Sequence, residues 1–185
     1  MEQTKGTTQN QQKIIGYLAK NNFIETFIDY PDPVSNALEI IFTGCNHKCP
    51  GCHAEALQDY TVGDIYTINE AIMLINYRAK QLKTDKLVLV GGDPLHPKNR
   101  QFTKALLLKL YKSYDICIYT GYVAEAFKEL ANIPFKFLKV GKYDINKAVL
   151  PEKTGAYMQF ASTNQELYNS SFIKLSEFGR YYFNK

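Results

Sequence analysis

Ala37-Leu38-Glu39-Ile40-Ile41-Phe42-Thr43-Gly44-Cys45-Asn46-His47-Lys48-Cys49-Pro50-Gly51-Cys52 joins an apolar run to three crowded cysteines. The run Ala37–Phe42 reads as a buried strand, and it enters a loop whose cysteines are spaced C-x3-C-x2-C. Three thiolates converging on one short loop can hold three irons of a cubane iron–sulfur cluster. The fourth iron then stays open to something other than protein. The competing assignment is a structural zinc site with His47 or His53 as fourth ligand. Zinc sites usually draw paired hooks from two segments. A second hook is missing here, because Cys117 stands alone inside Ile116-Cys117-Ile118. Cys117 therefore reads as a small buried hydrophobe.

Working outward, apolar strands alternate with amphipathic helices. Thr67-Ile68-Asn69-Glu70 carries a capping-box pattern and opens a helix whose apolar face runs through Ile68, Ala71, Ile72, Ile75, Ala79 and Leu82. Lys86–Val90 is a short strand running into Gly91-Gly92-Asp93-Pro94. Asn99 is placed to cap a second helix, which buries Phe102, Leu106 and Leu110. A strand over Asp115–Tyr119 breaks at Thr120-Gly121, a helix covers Val123–Ala131, and a strand over Phe135–Val140 closes at Gly141. Further strands are expected over Gly155–Ala161 and Ser171–Leu175. Before the first core strand, Tyr30-Pro31-Asp32-Pro33 is a turn, and Lys13–Phe27 reads as a strand followed by a turn at Lys20-Asn21-Asn22.

This order means βαβ units and a parallel sheet, so the fold class is α/β. Ligands of such sheets bind at the C-terminal strand ends. The cysteine loop, Gly91-Gly92-Asp93, Tyr119-Thr120-Gly121 and Gly141 should therefore gather around one mouth. Carbonyls of the Gly-Gly turn and the Asp93 carboxylate would accept hydrogen bonds from a ligand ammonium group, and the glycines would let that ligand approach the backbone. His47 and His53 flank the cysteines, and either touch what binds there or face solvent. For His96 and for Asn164-Gln165, ligand contact and plain loop surface are both open.

The 185 residues fit a polar tail over 1–13 and a single domain over 14–185. The tail has no apolar core and is not a secretion signal. No apolar stretch reaches the roughly 20 residues needed to cross a bilayer, so no membrane partner is expected. The net charge of +4, from 22 basic and 18 acidic residues scattered along the chain, excludes a nucleic-acid footprint. Four cysteines, three of them crowded together, make a poor disulfide framework and a good ligand set, which points to the cytoplasm.

Several of these motifs together resemble one family. Cys45–Cys52 carries the signature of radical S-adenosylmethionine (SAM) enzymes. Gly44–His53 and Gly91-Gly92-Asp93-Pro94-Leu95-His96-Pro97-Lys98-Asn99 closely resemble the anaerobic ribonucleoside-triphosphate reductase activating proteins. Tyr119-Thr120-Gly121-Tyr122, Val140-Gly141-Lys142-Tyr143 and Ser162-Thr163-Asn164-Gln165 are similar to that family's later motifs, in the same order. The chain departs from the pattern at Ile28–Pro33, which replaces a Gly-Pro-Gly-Arg-like turn, at Val140 for an aspartate and at Ala161 for a glycine.

The resemblance implies a radical SAM domain built as a partial, open (β/α) barrel of parallel strands, since a closed eight-stranded barrel takes about 250 residues. It implies that Cys45, Cys49 and Cys52 ligate a [4Fe-4S] cluster whose open iron is chelated by SAM. Gly91, Gly92 and Asp93 would meet the methionine ammonium, and the backbone at Gly51 together with His53 would lie along the adenosine. Reductive cleavage of SAM would then yield a radical that takes a hydrogen atom from a glycine of anaerobic ribonucleoside-triphosphate reductase, with a reduced flavodoxin-type donor supplying the electron. No acid–base or nucleophilic catalytic residue is required. Activation of another glycyl-radical enzyme, small-molecule chemistry like that of 7-carboxy-7-deazaguanine synthase, and a non-catalytic metal-binding module are the competing readings.

Overall fold

The computed structural model describes residues 14–183, and the expected tail over 1–13 lies outside them. Strand β1 (Ile15–Thr26) runs antiparallel to β2 (Ala37–Phe42), and its first residues also pair with the short β3 (Asp64–Thr67). Helix α1 (Ile68–Leu82) leads to β4 (Lys86–Gly91), α2 (Arg100–Leu110) to β5 (Asp115–Thr120), and α3 (Val123–Leu130) to β6 (Phe137–Val140). The last part of the chain adds β7 (Glu152–Lys153), β8 (Tyr157–Gln159), β9 (Glu166–Asn169) and β10 (Arg180–Tyr182). The main sheet has the order β3-β1-β2-β4-β5-β6-β9, with β2, β4, β5 and β6 mutually parallel. A small sheet, β10-β8-β7, stands apart from it.

The four parallel strands follow one another in chain order with no reversal. Right-handed crossovers that always step the same way put every connecting helix on the same face. The packing agrees. Leu38, Ile40, Phe42, Leu87, Leu89, Ile116, Ile118, Leu138 and Val140 pack in one core with the apolar faces of the three helices. The alternate residues Ala37, Val88 and Cys117 form a second cluster with Tyr30 and no helix. Tyr30 stacks edge-on against Phe137, which in turn meets Tyr181 of the small sheet, so these groups cover the lower part of the helix-free face. Its upper part is left for a cleft.

Local signals act largely as expected. Thr67 and Glu70 form both halves of the capping box, and α1 ends where Lys83 takes a left-handed φ of 53°. Cys117 is fully buried. Three expectations are corrected. Lys20-Asn21-Asn22 is no turn: β1 continues through it, and the register with β2 jumps from Leu18↔Phe42 to Phe23↔Ile40. The polar triplet bulges out of the ladder, and pairing with β2 resumes beyond it from Phe23 to Thr26. Ser171–Leu175 is not a strand either, because the Asn169 carboxamide oxygen accepts from the N–H groups of Ser171 and Ile173 and folds the chain back; the strand there is β9.

Asn99 occupies the cap position of α2 but makes no side-chain cap bond. Fully buried, it accepts from Tyr17 N at 2.9 Å and donates to the Thr43 carbonyl at 2.7 Å, joining β1 and the exit of β2 to α2. Asn99→Ala leaves two enclosed backbone groups without partners, so stability in urea should fall by at least about 2 kcal/mol.

Candidate active site at the strand ends

The motifs singled out in the sequence do converge. A cleft of about 440 Å³ opens at the C-terminal ends of the parallel strands. Cys45, Cys49, Cys52 and His53 line it from the loop after β2, Gly91, Gly92 and Asp93 from the end of β4. Tyr119, Thr120 and Gly121 line it from β5, and Gly141 and Gln165 from beyond β6 and before β9. Gly51 lies outside this lining; its positive φ of 72° turns the loop between Cys49 and Cys52, against Ile145 and Tyr143. Asn164 also lies outside this lining and donates to the Lys142 carbonyl.

Asp93 is almost completely buried and fully engaged. Its Oδ1 accepts from Leu95 N and from Thr120 Oγ1, both at 2.8 Å. Its Oδ2 accepts from Gly121 N at 2.8 Å and lies 3.1 Å from His47 Nε2, which donates to the carboxylate. One carboxylate thus ties the end of β4 to the end of β5 and to the cysteine loop. His47 is accordingly an inward-facing residue, its ring packed 4.2 Å from that of Tyr122. His96 is buried and reaches Asn46 Oδ1 at 3.2 Å, and burial holds it below its ordinary pKa, in the neutral form. Both histidines therefore brace the loop from beneath. The glycine pair serves the same end: a Cβ on Gly91 would stand 2.5 Å from the Phe42 carbonyl oxygen, and one on Gly92 would stand 2.7 Å from that of Gly44. Close approach here is first of all that of one strand end to the next.

The three thiols are free and partly exposed to the cleft. Burial, then the neighbouring Asp93 and cysteines, pushes Cys45 up to about 11, opposed by a hydrogen bond from the His47 backbone. Cys49 is raised by burial and by Cys52. Thiols of this kind give up their protons to a metal rather than to water. Among the described residues, the grouping tight enough to close on a single ion is Cys45, His47 and Asp93, with ligand atoms within 4.8 Å of one another. The three thiols do not form such a group, whereas tetrahedral zinc with Zn–S of about 2.3 Å brings its sulfurs to about 3.8 Å. Three thiols supplied by a single loop suit a multi-iron cluster better than one zinc ion, which usually draws paired hooks from two segments.

Sequence reasoning missed Asp29, Glu39 and Lys139, which line the inner end of the cleft beside Tyr119. Glu39 shares hydrogen bonds with Asp29 and Thr26; burial first, then the bond to Asp29 and its charge, holds its carboxyl well above the carboxylate range. Burial pushes Lys139 down to about 8, while Asp29 and Cys117 act on it through space in the other direction. Its ammonium lies 4.1 Å from the centroid of the Tyr119 ring, and the Tyr119 hydroxyl donates to the Asp29 carbonyl. The available signal was a lone charge inside each of two apolar runs, Ala37–Phe42 and Phe137–Val140.

Comparison with known proteins agrees with this picture. The family model described as a 4Fe-4S single cluster domain matches residues 36–159. Over 136 residues the chain is 32% identical to the anaerobic ribonucleoside-triphosphate reductase-activating protein of Enterobacteria phage T4, spanning 71% of this chain and 83% of that protein. Proteins of the same name from Haemophilus influenzae and Pasteurella multocida are 28% and 30% identical over 101 and 111 residues. These matches span 50% and 54% of this chain, and 65% and 68% of the respective relatives. No described helix is long and apolar enough to cross a membrane.

Two outcomes are expected. Changing Cys45, Cys49 or Cys52 singly to Ala should abolish the brown colour and bound iron of anaerobically reconstituted protein, whereas Cys117→Ala should retain both. Glu39 binds its proton more tightly in the folded than in the unfolded chain, so its contribution to stability declines as pH rises above 4.5. Glu39→Gln keeps the hydrogen-bond donor without the titration. Its urea midpoint relative to wild type should therefore be higher at about pH 8 than at about pH 5.

Proposed function

Because this chain belongs to the family of 4Fe-4S single-cluster proteins that includes the anaerobic ribonucleoside-triphosphate reductase-activating proteins, we propose that it is a radical SAM enzyme that installs a glycyl radical on such a reductase. The observation that carries this reading is the meeting, in one cleft, of the cysteine loop with Gly91-Gly92-Asp93 and Tyr119-Thr120-Gly121. The donor set fits the group: three thiols from one loop line the cleft, and the fourth cysteine, Cys117, is buried within β5. Cys45, Cys49 and Cys52 are the ligands of the cluster in this reading. When bound, the cluster and SAM supply the one-electron chemistry that removes a hydrogen atom from glycine.

The chain's own residues then have defined duties. The Gly91-Gly92 backbone meets the ammonium group of the methionine moiety, and Asp93, just behind it, supplies the compensating negative charge. The backbone at Gly51 and the ring of His53 lie along the adenosine. His47, held by Asp93, fixes the cysteine loop against the end of β5. Tyr30 and the small sheet close the lower end of the helix-free face, which keeps bulk water out from below. The domain over 14–185 acts as a partial, open barrel: three helices cover one face of a sheet that does not close on itself, and the free side admits a polypeptide. Electrons come from a reduced flavodoxin-type donor.

The test is an electron paramagnetic resonance spectrum of the reduced, reconstituted protein mixed with SAM and the reductase. A glycyl doublet is expected, and it should vanish in Cys49→Ala. A protein that holds its cluster and cleaves SAM but yields no doublet overturns the assignment of the reductase as target.

A further inference from the structure

We propose that Asp29, Glu39 and Lys139 seat the main chain of the glycine-bearing segment at the inner end of the cleft. This inference rests on the activase reading and assigns to it residues that the cysteine and glycine motifs leave unused.

Their placement follows from register. On the helix-free face, Ile41 pairs with Val90, and Tyr119 with Lys139, in one layer across the sheet. Glu39 pairs with Val88, and Cys117 with Phe137, one layer further from the strand ends. Two residues along a strand are about 7 Å, so Glu39 lies well below the level at which the cysteine loop and Gly91-Gly92 meet. Asp29 arrives from the loop between β1 and β2, anchored by Thr26 Oγ1 at 3.0 Å. All three side chains line the cleft and remain partly accessible from it.

Their neighbours on the sheet, Ile41, Val88, Val90 and Cys117, are apolar, and charges placed in such surroundings destabilise the fold unless something pairs them. Glu39 and Asp29 satisfy each other in part. Lys139 has two aromatic rings, Tyr119 at 4.1 Å and Phe160 at 5.1 Å from ring centroid to ammonium, and only through-space attraction to Asp29. Its donors are left pointing into the cleft. The group therefore offers an ammonium donor and two carboxyl groups to whatever enters. A glycine brings no side chain, so it can be held only through its neighbouring amides. Their carbonyls match Lys139 and their N–H groups match Asp29 and Glu39. A nucleoside held at the strand ends would lie one layer above.

The experiment uses reconstituted protein and a fluorescein-labelled peptide copying the segment of the reductase that bears the glycyl radical in the assay above. By fluorescence anisotropy, Lys139→Met and Asp29→Asn should each weaken peptide binding at least about tenfold relative to wild type. Independently of any variant, reductive methylation read by mass spectrometry should modify Lys139 in the wild-type protein, and adding the intact reductase should suppress that labelling. Variants that bind peptide as tightly as wild type, or labelling unchanged by the reductase, overturn the seat. Weakened SAM binding in the same variants assigns the group to the nucleoside and overturns it too. A wild-type protein that neither binds the peptide nor yields the glycyl doublet defeats the activase reading itself, a result separable from failure of the seat alone.

Discussion

The Asp93 carboxylate is the point on which the arrangement of the cleft turns. A buried carboxylate is stable only when hydrogen bonds replace the water it has lost, and here four donors from three segments do so. The donors come from its own turn, from the end of β5 and from the cysteine loop. Each is thereby fixed relative to the others. The cysteine loop lacks regular structure around Cys45–Cys52, and its other ties are the His96 bond to Asn46 and backbone bonds from Gly44 and Cys45 to Leu57 and Gln58. Asn99 performs a similar service one step further out, bonding the backbone of β1 and of the chain just before Gly44. Buried polar side chains, Asp93 and Asn99 among them, therefore share in holding this loop in place.

The larger architecture follows from the direction of the crossovers. Successive right-handed connections that never reverse leave one face of the sheet bare, and a bare face must be covered or used. Tyr30, Phe137 and the small sheet cover its lower portion. The upper portion becomes the cleft. A doubly wound sheet with helices on both faces would have buried Glu39 and Lys139 beneath apolar side chains.

Much of this was legible in the residues. The alternation of apolar runs with helical periodicity gave the parallel strands and all three helices, and the glycine breaks after β4, β5 and β6 marked the mouth. The cysteine spacing marked its chemistry. What escaped was decided by long-range partners. Lys20-Asn21-Asn22 has turn residues, yet β1 persists because β2 pairs with it on both sides of the triplet, and the local preference survives only as a bulge. Asn99 has the type and position of a helix cap, but two backbone groups from distant strands compete for its carboxamide and win. Asp93 reads equally well as a ligand or as a structural hub, because a sequence does not show how many donors surround a carboxylate. The charges at positions 39 and 139 were visible, but the face they point to depends on pairing with strands far away in the chain.

Along β2 the side chains alternate between two environments, Leu38, Ile40 and Phe42 among the helices and Glu39 and Ile41 toward the cleft. A slip of β2 by a single position would exchange these environments, driving an acidic group into hydrocarbon and leaving leucine and isoleucine wet. The same holds for Lys139 between Leu138 and Val140 on β6. Charged residues that seem to weaken the sheet thus act as alignment marks at both sides of its parallel core: they make a pairing slipped by one position far worse than the native one.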